Sequence, residues 1–122
     1  MQRALIIKKE WLDKIFNNGK TIEMRSRNTS VRGKIGLIES GSGLVMGEAD
    51  LLTSYGPIHE LDFRLLIPLH QIEDVKIHKK WPYVWELRNI KKYENPIPYK
   101  HPKGAVIWVR LDKEPQDEIS ND

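Results

Sequence analysis

The chain has 122 residues, 39% hydrophobic and 30% charged, which suffices for one domain with its own core and is too little for two ordinary ones. It has no cysteine, which excludes disulfides, thiolate catalysis and Cys-rich zinc sites. The net charge of +3 is uneven: residues 1–111 carry 19 basic and 12 acidic side chains, whereas residues 112–122 set Asp112, Glu114, Asp117, Glu118 and Asp122 against Lys113 alone.

Arg3 to Ile7 reads as a short apolar strand. Trp11, Leu12, Ile15 and Phe16 then recur at helical spacing, with Lys9, Glu10, Asp13, Lys14 and Asn17 on the other face, and Gly19 suits the left-handed residue that closes a helix. Lys20 to Arg27 alternates with period two, which sends Ile22 and Met24 inward and Thr21, Glu23 and Arg25 to the opposite face. Asn28 to Ser30 is a polar loop, and Lys34 to Ser40 and Leu44 to Leu52 are strands joined as a hairpin by Gly41-Ser42-Gly43.

Ser54-Tyr55-Gly56-Pro57 ends that hairpin, and Ile58, Leu61, Leu65 and Leu66 mark a short helix that Pro68 interrupts. Beyond a basic loop over 75–80, Tyr83 to Arg88 alternates as a strand, Asn95-Pro96-Ile97-Pro98 forces an extended bend, and Ala105 to Leu111 is the last strand. Five or six short strands, two small helices and no βαβ rhythm predict an α+β fold built on a small, mostly antiparallel β-barrel with short helices at its openings.

Trp11 and its helix, the block Gly19-Lys20-Thr21-Ile22-Glu23-Met24-Arg25 and the following Arg32-Gly33 resemble the signature of the ASCH (activating signal cointegrator homology) domain of the PUA-like superfamily. Gly47-Glu48-Ala49-Asp50-Leu51, the Trp85 strand and the Pro96 to Gly104 run fit the same layout, so the resemblance covers nearly all of residues 3–111. It implies a PUA-like barrel whose cleft, lined by the helix-to-strand turn, binds RNA or a modified base. The boundaries expected are an ASCH-type domain over 1–111 and an acidic C-terminal tail over 112–122, read either as a disordered, solvated terminus or as a mobile competitor for the polyanion that a basic body attracts.

The residues support such a cleft on their own chemistry. Lys20 and Arg25 supply a cation and a donor fork, and Glu23 supplies an acceptor for the amino groups of a base edge. The plainer reading of this alternation is a solvated face with weak ion pairs. Arg27 extends the basic side of the block, and Ser40 and Ser42 offer hydroxyls beside exposed amides, unless they form only a hairpin turn. Lys79, Lys80, Trp81 and Tyr83 interleave charge with aromatic faces, which suits single-stranded nucleic acid, and Lys91, Lys92, Tyr93, Tyr99, Lys100, His101 and Lys103 do so more weakly. Trp11, Trp85 and Trp108 sit in apolar periodicity and read as core. Glu48 either points into the cleft towards Lys20 or Arg25 or lies near a strand edge.

Two hydrolytic alternatives follow from the resemblance. Some small bacterial members of the superfamily look like amidohydrolases that remove an acyl group from N4-acetylcytidine with a lysine, a threonine and a distant glutamate; Lys20 matches the lysine, but Glu23 stands in the position of the threonine, with Glu48 as the further carboxylate. A metal-dependent ribonuclease would draw on Glu23, Glu48 and Asp50. Catalysis, if present, is therefore expected of Lys20, Glu23 and Glu48. His59, His70, His78 and His101 show no ligand spacing and read as surface or core-edge residues, so no metal and no other cofactor is expected. With no apolar run near the ~20 residues of a membrane span and no signal-like start, the expectation is a cytoplasmic protein whose partners are RNA, other single-stranded nucleic acid or a modified nucleoside, and no membrane.

Overall fold

A computed structural model describes residues 1–112; the expected acidic tail beyond Asp112 lies outside them. The elements run β1 (Arg3–Ile7), α1 (Lys9–Asn17), β2 (Ile22–Arg25), β3 (Gly33–Glu39), β4 (Leu44–Tyr55), α2 (Glu60–Leu65), α3 (Ile67–His70), a 3-10 helix (Val75–Lys79), β5 (Tyr83–Pro98) and β6 (Trp108–Arg110). One sheet carries all six strands in the order β2-β5-β4-β3-β1-β6. Every pairing is antiparallel except β1 with β3.

The sheet curls until its two ends approach each other. Trp85 on β5 stacks on Trp108 of β6 with ring centroids 5.8 Å apart, and the enclosed core gathers Leu5, Ile7, Ile35, Leu37, Leu51 and Leu87. α1 closes one opening with Leu12 and Ile15. Its end is set by Gly19, at φ 74°, which lets the Lys20 amide fold back onto the Lys14 carbonyl at 3.2 Å. Gly47 admits a close approach of β5 and α1: a Cβ there would collide with the Lys91 carbonyl and come within 2.7 Å of the Phe16 ring.

β2 is covered on both faces. Ile22 and Met24 are buried as the alternation predicts, but in a second core with Phe63, Ile72 and Val84, capped by Ile58, Leu66, Val75, Ile77 and Trp81 from the segment that runs over the outside of the sheet. Glu23 faces the other way and is also buried. Three corrections concern this region. Among the described residues there are three α-helical segments rather than two. The expected basic loop is a 3-10 helix, because Val75 and Ile77 anchor it to the second core. β2 is also shorter than the expected Lys20 to Arg27, since Lys20 turns inward and Ser26 and Arg27 leave the ladder.

The later strands differ as well. β5 runs as strand through Asn95-Pro96-Ile97-Pro98, with Ile97 opposite Val45 and Pro98 opposite Leu44, but the register is irregular just before it, since Gly47 lies opposite Lys92 and Val45 opposite Ile97. β2 pairs only with residues 83–86, so the far half of β5 has a free edge, where prolines remove no ladder hydrogen bond. β6 is limited to three residues. Among the described residues no helix is long and apolar enough to cross a membrane.

Candidate functional site

The two ends of the curled sheet, β2 on one side and β1 with the approach to β6 on the other, enclose a cavity of about 240 Å³. It is lined by Glu23, Met24, Arg25 and Ser26 on the first side and by Ile6, Val106 and Ile107 on the second. Lys8, Trp11, Ser40, Ile72 and Trp81 complete the rim. Antiparallel pairing places Glu23 opposite Trp85 and Arg25 opposite Tyr83, so alternation delivers both charged side chains to the interior end of the barrel.

A chain of charges runs beneath this wall. The Lys20 side chain is 0% exposed; its Nζ donates to the carbonyl of Ile22 at 2.7 Å and of His70 at 2.5 Å, lies 3.6 Å from Glu23 Oε1, and sits 5.2 Å from the centre of the Trp11 ring. Burial pulls the Lys20 pKa down, opposed by the attraction of the Glu23 carboxylate. Glu23 Oε2 accepts from Arg25 Nε at 2.8 Å. Arg25 Nη2 also donates to the Ile6 carbonyl at 3.0 Å, which joins β2 to β1 across the seam, and its guanidinium lies 5.4 Å from the Trp85 ring centre. The remaining terminal nitrogen, Nη1, has no protein acceptor among the described residues. Arg25 is therefore fixed on three sides and keeps one donor pair for a ligand.

His70 supports Lys20 from below. Its Nδ1 accepts from the Ile72 amide at 3.0 Å, which leaves the proton on Nε2 for donation to the Phe63 carbonyl at 2.7 Å. Burial lowers the His70 pKa, the Phe63 bond opposes this, and the neighbouring Lys20 charge adds to it. The ring is thus held neutral in one tautomer.

No protein-family model and no curated protein matches the chain. Solved structures do. The crystal structure of ASCH from Zymomonas mobilis matches at TM-score 0.69 and 14% identity, over 98% of this chain and 93% of that one. Two single-substitution variants of that protein match at TM-scores of 0.67 and 0.62, with 17% and 16% identity, over 98% of this chain and 94% and 96% of theirs. The chain has the ASCH fold. At these identities the likeness speaks for the fold, and the site has to be argued from this chain's own residues.

Within the ASCH fold the expected residues fall into three groups. Glu23, Arg25, Ser40 and Trp81 meet at the cavity. Lys20 is adjacent but lies behind the wall and does not line it. Arg27, Lys79 and Lys80 are exposed and outside it; the Arg27 carbonyl instead accepts from Trp85 Nε1 at 3.0 Å, and Lys80 lies over Trp81 at 5.2 Å. Tyr83 packs against the main core, and the Ser42 hydroxyl is spent on its own turn, donating to the Glu39 carbonyl and accepting from the Leu44 amide.

Glu48 is a clear departure from the cleft reading. It sits on β4 and is held by the Tyr93 hydroxyl at 2.9 Å and Lys34 Nζ at 3.2 Å, which keep its carboxyl below the usual range. Asp50 is engaged by Asn89 at 2.7 Å, and among the described residues no three His, Cys, Asp or Glu side chains converge on a metal-sized site. The three carboxylates named for a metal-dependent nuclease therefore do not form one cluster.

Sequence reasoning missed Trp11, Lys8 and His70. Trp11 packs against both cores, as its place on the apolar face of α1 implies, and its position in the first turn of that helix also brings it to the rim. His70 is fully buried rather than at a surface or core edge. No local pattern marks it, since, apart from the Ile72 amide, its partners are 7 residues away at Phe63 and 50 away at Lys20.

Proposed function

We propose that this protein is a single-stranded RNA-binding domain that holds one splayed-out base, ordinary or modified, in the cavity between the sheet ends. The observation that carries the reading is Arg25. Its guanidinium is anchored by Glu23 and by the Ile6 carbonyl, rests on Trp85, and keeps Nη1 for a base carbonyl or phosphate oxygen. Trp11 and Trp81 on the rim supply stacking faces, Lys8 supplies a cation, and the basic body attracts the phosphate chain. Residues 1–111 are proposed to act as this one domain, in the cytoplasm.

Binding is favoured over hydrolysis by the state of Lys20. An ammonium that donates to two carbonyls, pairs with Glu23 and does not line the cavity supports the reading of Lys20 as a structural cation rather than a general base. Fluorescence anisotropy with a labelled single-stranded RNA decamer tests the proposal. Arg25→Ala and Trp81→Ala should each weaken binding about tenfold, in line with the ~1–3 kcal/mol of one base stack, and affinity should fall steeply with added salt. Unchanged affinity in both variants removes the cavity from the interface. Sustained release of cytidine from N4-acetylcytidine would replace the binding module with the amidohydrolase.

A further inference from the structure

The cleft continues beyond Ser40. A second pocket of about 580 Å³ opens there, lined by Gly41, Ser42, Gly43, Tyr99, His101 and Ala105. Ile6, Ser40 and Val106 line both pockets, so the two adjoin across these three residues. Resting on the base site proposed above, we infer that the adjoining pockets take two consecutive nucleotides of one strand, so that the ligand is an oligonucleotide rather than a free nucleoside. The first base sits against Arg25, the linking phosphate crosses at Ser40, and the second nucleotide enters the pocket of Tyr99 and His101.

Four observations support this occupant. The Tyr99 hydroxyl donates to His101 Nδ1 at 2.8 Å and His101 Nε2 donates to the Ala105 carbonyl at 2.9 Å, so both rings are fixed in place, 5.8 Å apart and at 61°. A fixed aromatic wall is what a second base needs for stacking. Gly41 and Gly43 both adopt left-handed backbone, at φ 81° and 71°. Their amides donate to no acceptor among the described residues, whereas the Ser42 amide between them is used by the Glu39 carbonyl; the two free amides, one on each side of the occupied one, are donors left for phosphate oxygens. Among the described residues no acidic side chain lines the second pocket, and the segment that carries His101 also carries the exposed Lys100 and Lys103. Where the pockets adjoin, Val106 is 77% exposed, an apolar side chain left for a sugar or base edge to cover.

The experiment titrates the full chain with the four ribonucleosides and with ribodinucleoside monophosphates built from them, read by quenching of tryptophan fluorescence. A dinucleotide should bind at least tenfold more tightly than either component nucleoside. His101→Glu, at an exposed position, should abolish that gain and leave nucleoside affinity within twofold, whereas Arg25→Ala should weaken both kinds of ligand. In the unsubstituted protein, the dinucleotide and not the nucleoside should shift the amide resonances of Gly41 and Gly43, a result independent of any variant's folding. Equal affinity for dinucleotide and nucleoside, with those amides unmoved, overturns the two-nucleotide site and leaves the base site standing if Arg25→Ala still weakens binding. Absence of binding by every probe overturns both.

Discussion

Lys20 Nζ donates to the His70 carbonyl across 2.5 Å, tying the turn after α1 to the end of α3, fifty residues later in the chain. Both side chains are fully buried, and the wall that presents Glu23 and Arg25 to the cavity is assembled on this contact. The wall is thus a tertiary object, made by the outer helical segment as much as by β2.

Replacement of the buried cation should therefore act on folding before it acts on binding. Lys20→Met leaves the Ile22 and His70 carbonyls and the Glu23 carboxylate without their partner, and breaking a buried pair in this way costs ~3–5 kcal/mol. Urea unfolding followed by circular dichroism should show a correspondingly lower midpoint with an unchanged slope. An unaltered midpoint would mean that Lys20 carries little of the structure, and would restore it as a candidate for chemistry.

Acid should loosen the same region. Burial lowers the His70 pKa from its ordinary value of 6.5, so the unfolded chain binds a proton that the folded chain refuses. The contribution to stability is complete above about pH 6.5 and is lost as pH falls below it. The urea midpoint should decline from pH 7 to pH 5, and His70→Gln, whose amide can still donate to the Phe63 carbonyl and accept from the Ile72 amide, should flatten the decline. Parallel pH profiles for the two proteins would count against this assignment.

Tyr93 offers a spectroscopic check at the opposite end of the pH scale. Burial, then its hydrogen bond to Glu48, pushes its pKa up to about 12. Stability from this raised value is present below about pH 10 and lost as pH rises towards 12. Phenolate absorbance should show a late-titrating tyrosine that disappears in Tyr93→Phe and moves towards 10.0 in Glu48→Gln. If Glu48→Gln leaves the titration unchanged, burial alone sets the value.

Local pattern was enough for some of this architecture and silent on the rest. Gly19 announces the helix end because only its backbone freedom is needed there; a Cβ would meet nothing. The alternation through Glu23 and Arg25 correctly sets their face apart from Ile22 and Met24. It does not reveal that both faces are covered, because Phe63, Ile72 and Val84 come from far along the chain. Glu48 misled for the same reason. Its parity on β4 shows a carboxylate among apolar neighbours, but its partners Lys34 and Tyr93 belong to the strands on either side. The prolines of β5 look like breakers until the early end of β2 leaves that stretch with an open edge.

The seam between the sheet ends makes the cleft a mechanical joint. Its walls belong to strands that are not ladder partners, and Arg25 bridges them with a single hydrogen bond to Ile6. A molecule lodged there clasps the two ends of the sheet, so its affinity is converted into cohesion of the whole domain by mass action. The melting temperature thereby becomes a reporter of occupancy, whatever the chemical nature of the occupant.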